Sequence, residues 1–268
     1  MQSTDPQINY AKKSVMKLFE DSYGRAKRKP YYITQIKTLL ETRFSDDVTY
    51  QAIEQLVGER RLSKIIADTK YAQKVVFLYN AEFDNPKFKD SRGMHVKSIC
   101  NIIDIYSNPD ITKQYGEYLE GLVGEELQKQ GFTIVGAHTK KYKDKKYPKS
   151  NNDLDFIAEH RSGKLTIGVE VKNTISIMDK KEVDIKLQMC DFLGITPVFA
   201  TRWLKPYTKL IDDRGGFSWT FKTQLYPPRF NALAKTLSKR LHLPVKVETK
   251  LPTESVQLFL SWVKKQTT

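Results

Sequence analysis

The chain has 268 residues, 40% of them hydrophobic and 11% aromatic, with 45 Lys and Arg against 31 Asp and Glu. That length and apolar content support one large or two smaller folded domains and exclude wholesale disorder. The formal net charge of +14 favours a polyanionic partner. No run is apolar enough to span a bilayer and the N-terminus is too polar for a secretory signal, so nucleic acid is expected ahead of any membrane. The two cysteines, Cys100 and Cys190, are too few and too far apart for a disulfide framework or a zinc site. Both are expected in the core of a cytoplasmic protein.

Residues 9–20, NYAKKSVMKLFE, place Val15, Leu18 and Phe19 at helical spacing. After the basic stretch GRAKRKP, ITQIKTLLETRF aligns Ile33, Ile36, Leu39 and Leu40. VTYQAIEQLVGERRL repeats the pattern with Ile53, Leu56 and Val57, and Thr49 is its expected N-cap. Two β-rich runs follow, LSKII and KVVFLY, around a polar loop, ADTKYAQ. Three helices and a two-stranded ribbon over residues 1–84 resemble a winged helix-turn-helix domain in pattern. The resemblance implies that the third helix, residues 49–60, reads a DNA groove. Gln51, Glu54, Gln55, Arg60 and Arg61 form its polar face, and Lys70 and Lys74 are placed to reach phosphate from the wing.

Residues 85–95 read as a polar linker, and VKSICNIIDIY as a connecting helix that completes a segment to residue 110. Asp110 is the expected cap of a long amphipathic helix whose apolar face is Tyr115, Leu119, Leu122, Val123 and Leu127, ended by Gly131. FTIVGAH is a strand. TKKYKDKKYPKS has no periodicity and reads as a flexible loop, its lysines (Lys140, Lys141, Lys143, Lys145, Lys146) offered to nucleic-acid phosphates. A hairpin, a helix closed by Gly194 and the strand TPVFATRW complete an α/β core with a mixed sheet. In the last sixty residues, FNALAKTLSKRLHLP and SVQLFLSWVKKQ read as helices.

The hairpin, NNDLDFIAEHRSGKLTIGVEVKNT, carries Asp153, Asp155, Glu170 and Lys172 where buried strands are expected. Burying unpaired charge is costly, so these groups need partners. Residues two apart in a strand share a face, which puts Glu170 beside Lys172. A turn centred on Ser162 brings Asp155 within one place of Glu170 across the pair. Two carboxylates converging there form the hard oxygen site that Mg²⁺ selects. A second Glu-x-Lys, at Glu248 and Lys250, lacks both an aspartate-bearing strand and a glutamate-bearing helix upstream, and serves as an internal control.

The stretch EGLVGEELQKQGFTIV…DLDFIAEHRSGKLTIGVEVKNT…GITPVFATRW resembles the PD-(D/E)xK nuclease superfamily over residues 115–203, notably archaeal Holliday-junction resolvases and restriction-endonuclease-like proteins. The resemblance implies a restriction-endonuclease-like core within residues 111–268: a central mixed β-sheet flanked by helices, preceded by the small winged-helix-like domain. It implies that Asp155 and Glu170 bind Mg²⁺ (with Mn²⁺ substituting), completed by the Val171 carbonyl, and that Lys172 positions the attacking water. A helix glutamate, Glu120 or alternatively Glu117, and Gln188 of the following helix join the set. Asp153 replaces Asp155 if the register slips by two. The expected activity is hydrolysis of phosphodiester bonds in duplex DNA, in restriction or repair, by a homodimer at least on DNA. The alternatives are a branched-DNA resolvase, and a non-catalytic DNA-binding protein that keeps the fold as scaffold. An RNA nuclease ranks below these.

Overall fold

The computed structural model describes residues 5–84 and 89–268. The chain divides into two units, Met1–Thr112 with Thr236–Leu243, and Lys113–Lys235 with Pro244–Thr268.

The first unit opens with α1 (Pro6–Leu18), whose first turn is capped by the Asp5 carboxylate accepting from the Gln7 amide. There follow β1 (Tyr31–Tyr32), α2 (Ile33–Leu40), α3 (Asp46–Gly58), β2 (Leu62–Thr69), β3 (Gln73–Asn80) and α4 (Lys89–Tyr106). The apolar positions read from the sequence meet in one core, where Val15, Phe19, Ile36, Leu40, Ile53 and Leu56 pack with Leu62 and Leu78. The three strands form an antiparallel sheet in the order β1-β3-β2.

Boundaries in this unit differ from the sequence reading in several places. Ser45, not Thr49, caps α3: its Oγ accepts from the Val48 amide, and Thr49 is buried inside the helix. β2 runs on to Thr69 because Asp68 pairs with Lys74 and Thr69 with Gln73, so most of ADTKYAQ is strand around a short turn. α4 begins at Lys89, so the second half of the expected linker is helical; residues 85–88 lie outside the described residues.

α5 (Pro109–Lys129) leads into the second unit; the Asn108 side chain, rather than Asp110, caps it by accepting from the Asp110 amide. The remaining elements are β4 (Phe132–Thr139), β5 (Lys141–Tyr142), β6 (Lys145–Lys146), β7 (Leu154–His160), β8 (Thr166–Lys172), α6 (Lys180–Leu193), β9 (Thr196–Thr201), α7 (Thr208–Asp212), β10 (Phe217–Thr220), β11 (Gln224–Tyr226), α8 (Asn231–Leu241), β12 (Val245–Val247) and α9 (Thr253–Thr267). The main sheet has the order β10-β9-β8-β7-β4. β7 is antiparallel to both its neighbours, whereas β8, β9 and β10 run parallel, so the sheet is mixed.

Helices cover both faces of this sheet. On one, Leu119, Leu122, Val123 and Leu127 of α5 and Phe259 of α9 bury Ile167, Val169, Val171, Val198 and Trp219. On the other, Met189, Cys190 and Leu193 of α6 pack on Leu154 and Ile157. Gly168 lets α6 come close: a Cβ there would stand 2.9 Å from Cys190 Sγ. Both cysteines are buried and free.

The lysine-rich segment is not an irregular loop. β5 and β6 pair as a small hairpin, Lys141 opposite Lys146 and Tyr142 opposite Lys145. Its tyrosines anchor it: Tyr147 is buried in the α6 cluster and the Tyr142 hydroxyl donates to Glu159 Oε1 at 2.7 Å. Among the described residues no helix is long and apolar enough to cross a membrane.

Candidate functional site

The pairing of β7 with β8 runs from Glu159 opposite Thr166 to Phe156 opposite Val169. Continued one step, this register sets Asp155 directly opposite Glu170, one place from the sequence expectation. The ladder stops there, and the Asp155 side chain takes over: its Oδ2 accepts from the Val171 amide at 2.6 Å. Val171 therefore meets Asp155 through its N–H, and its side chain is buried in the core.

On the far side of β7, a bulge between Ile134 and Gly136 shifts the β4 pairing by one residue, so that Ala137 opposes Phe156 and Thr139 opposes Leu154. His138 thereby stands opposite Asp155; without the bulge Ala137 would be there. The His138 backbone is left-handed, with φ of 44°, a conformation uncommon for non-glycine residues, though histidine is among those that adopt it more readily. Its Nδ1 lies 3.8 Å from Asp155 Oδ1, and its Nε2 lies 3.6 Å from Glu120 Oε2 on α5. Ligand atoms of Glu120, His138 and Asp155 all fall within 4.8 Å of one another, a spacing compatible with one cation.

Glu170 and Lys172 face α6, as Gly168 does. Lys186 Nζ is 2.5 Å from Glu170 Oε2, and Lys172 Nζ is 2.7 Å from Glu182 Oε1. Residues two apart in a strand span about 6.6 Å and residues four apart in a helix about 6 Å, so the two pairs stack as rungs between antiparallel β8 and α6. The rungs differ in environment. Glu170 and Lys186 are each 5% exposed, whereas the Lys172 side chain is 34% exposed. Lys186 also donates to the Asp153 carbonyl.

The crowding shows in the acidities. Burial and the nearby Asp155 charge push Glu170 up to about 8 against the pull of Lys186. Burial also raises Asp155, opposed by the Val171 amide, Lys186 and His138. Glu120 is raised by burial and by Asp155. In all three carboxylates burial disfavours the charged form, and a neighbouring carboxylate adds to that effect.

Comparison with protein-family models, curated proteins and solved structures finds no match.

The structure thus brings Asp155 beside Glu120 and His138, and ties Asp155 to the Val171 amide, one residue from Glu170. Glu117 is exposed and lies 3.7 Å from Lys113. Gln188 is exposed, with its amide oxygen accepting from Tyr147; the α6 side chain that reaches the carboxylates is Lys186, one half-turn away. Asp153 contributes its carbonyl to Lys186. The control pair, Glu248 and Lys250, falls beyond the end of β12 rather than within a strand, and Glu248 pairs with Lys246.

Of the residues expected to meet nucleic acid, Lys141, Lys143, Lys145 and Lys146 are exposed on the hairpin and make no ion pair among the described residues; Lys140 is turned to the Ser150 carbonyl at 2.5 Å. In the first unit Gln51 is exposed and Gln55 half-buried on α3, while Arg60 and Arg61 follow the helix and Lys70 and Lys74 flank the ribbon turn, all four exposed. α3 itself carries Asp46, Asp47 and Glu54 and no basic residue.

His138, Glu182 and Lys186 were missed from sequence. His138 reaches the site through a bulge that no residue pattern announces. Lys186 has a detectable signal, a lysine within the otherwise apolar face Val183, Leu187 and Cys190 of α6.

Proposed function

We propose that the chain is a divalent-metal-dependent DNA endonuclease built on a PD-(D/E)xK core, with the helix–helix–helix–ribbon of the first unit acting as a winged-helix-like DNA contact. The observation that carries this reading is the Asp155 carboxylate held on the Val171 amide, next to Glu170 and just past the last β7–β8 pair, with Glu120 and His138 beside Asp155.

The donor set fits a cation: carboxylate oxygens suit Mg²⁺ and Mn²⁺, and an imidazole among them favours Mn²⁺. Asp155, Glu170 and Glu120 would hold the ion, with His138 as a further ligand. When bound, such an ion supplies positive charge against a phosphoryl oxygen and lowers the pKa of a water at the site. The protein's own groups do the positioning. The Val171 amide fixes the Asp155 carboxylate, and Lys186 holds Glu170 in place. Lys172, about one-third exposed and paired with Glu182, would be a cation able to swing toward a phosphate. The exposed lysines of the β5–β6 hairpin give a phosphate-binding edge in the same unit.

Mn²⁺ titration followed by electron paramagnetic resonance tests the site. Wild type is expected to bind; Asp155→Asn and Glu170→Gln are expected to abolish binding, and His138→Ala to weaken Mn²⁺ more than Mg²⁺. Unaltered Mn²⁺ binding in both carboxylate variants would contradict the assignment.

One observation favours the scaffold reading. Glu170 and Lys172 both have partners on α6, so the fold does not require a metal to compensate their charge. That reading expects DNA binding unaffected by metal and no cleavage.

A further inference from the structure

The first unit contains a hollow of about 250 Å³ lined by Lys29, His95, Ser98, Ile99, Arg240 and Leu241. At about 30 Å³ per water, this is room for a small oxyanion together with part of its hydration shell. Three distant segments build it: the basic stretch before β1, α4, and the last turn of α8, which returns to the first unit. That turn is tied down by Lys29 Nζ donating to the Arg240 carbonyl at 2.9 Å and Gln35 Nε2 donating to the Leu241 carbonyl at 2.6 Å.

Its charge is one-sided. Lys29 and Arg240 line it, Lys27 and His242 stand close by, and no carboxylate is among the lining residues. None of these four makes an ion pair among the described residues, in a chain where many lysines do. The mutual repulsion is felt: burial, Arg240 and Lys27 lower the Lys29 ammonium, and burial, Lys29 and Lys27 lower the His242 imidazole. Part of the cluster serves the helix, since a cation at its C-terminus is favourable. That accounts for one of the three Lys29 protons. It does not account for Arg240, whose Nη2 donates to Ser98 Oγ at 2.7 Å and so holds the guanidinium fork in place at the hollow.

We propose that this hollow binds a phosphate group, with Lys29 and Arg240 supplying the charge and Ser98 and His95 further hydrogen bonds. The phosphate is either a diester of a nucleic-acid backbone or a free phosphate. In the first case it shifts the grip of the first unit away from the acidic α3. The inference does not depend on the carboxylate site.

The test uses the full chain in EDTA, so that no cleavage intervenes. Inorganic phosphate is titrated while the His95 imidazole resonances are followed, with chloride at matched ionic strength as control. Duplex DNA binding is measured in parallel by fluorescence anisotropy over a range of salt. Lys29→Gln/Arg240→Gln removes both charges yet leaves donors for the Arg240 carbonyl and for Ser98. Two phosphate contacts predict a saturable His95 shift in wild type only, or a salt slope lower by about 2 and DNA binding weaker by about tenfold in the double variant. A change in the DNA arm identifies the backbone as the source, and a change in the phosphate arm alone identifies the free anion. If the variant fails to fold, the wild-type phosphate titration still decides for the anion. No His95 shift in wild type together with an unchanged DNA slope, or with a variant that does not fold, would overturn the proposal.

Discussion

Glu170 is the residue on which the site turns, because it is buried, acidic and shared between Asp155 and Lys186. In the metal-free folded chain it holds its proton up to about pH 8, against an ordinary value of 4.5. Between those values the folded state binds the extra proton, so stability is greatest below about pH 4.5 on this account and falls as pH rises through 8. Urea denaturation across that range in EDTA is expected to show the decline, and Glu170→Gln to flatten it. The two lysines separate in the same way. Removing one partner of a buried pair costs about 3–5 kcal/mol when a charge is stranded, whereas an exposed pair is worth about 1 kcal/mol or less. Lys186→Met is therefore expected to destabilise by about 3 kcal/mol at pH 9 and by less at pH 6, where Glu170 is protonated. Lys172→Met should stay under about 1 kcal/mol at both. Equal losses from the two variants would show that the rungs are equivalent. Asp155, Glu170 and Lys172 were legible in the sequence because strand alternation fixes which residues share a face; Glu120 came only from the resemblance, with Glu117 as the alternative. His138 was not, since a one-residue bulge moved it into register, and Lys186 was hidden by reading α6 for its apolar spacing alone.

At the scale of elements, the Glu170–Lys186 and Lys172–Glu182 pairs form because β8 and α6 lie antiparallel at close range, and Gly168 permits that approach. A methyl group there would meet Ile195 Cδ1 at 2.8 Å and Leu154 Cδ1 at 2.9 Å, all side-chain ends with some room to shift. Gly168→Ala is expected to cost about 1–3 kcal/mol by overpacking and to loosen the Glu170–Lys186 rung. A thermal melt unchanged by the substitution would show that α6 does not sit this close. Most helices here were visible in the sequence: α5 and α6 present apolar stripes, and Gly131 and Gly194 stop them with left-handed backbones, φ of 84° and 72°. The β5–β6 hairpin was not visible, because its strands are two residues long and its anchors are the tyrosines rather than an apolar pattern. β11 and β12 pair in parallel across the intervening residues 227–244, a contact that local periodicity cannot report.

For the whole molecule, the +14 charge is distributed unevenly. Lysines crowd the hairpin of the second unit and basic residues line the Lys29–Arg240 hollow of the first, while α3 carries acidic residues and no basic one. On the proposals above each unit would have its own place for phosphate, that of the second unit lying in the same unit as Glu120, Asp155 and Glu170. The most direct test of this account is incubation of supercoiled plasmid with the full chain, with and without Mg²⁺ or Mn²⁺, beside Glu170→Gln and the control variant Glu248→Gln. Nicking or linearisation is expected to need metal, to be lost in Glu170→Gln and to be retained in Glu248→Gln. Cleavage that persists in Glu170→Gln, or that proceeds equally in EDTA, would contradict it.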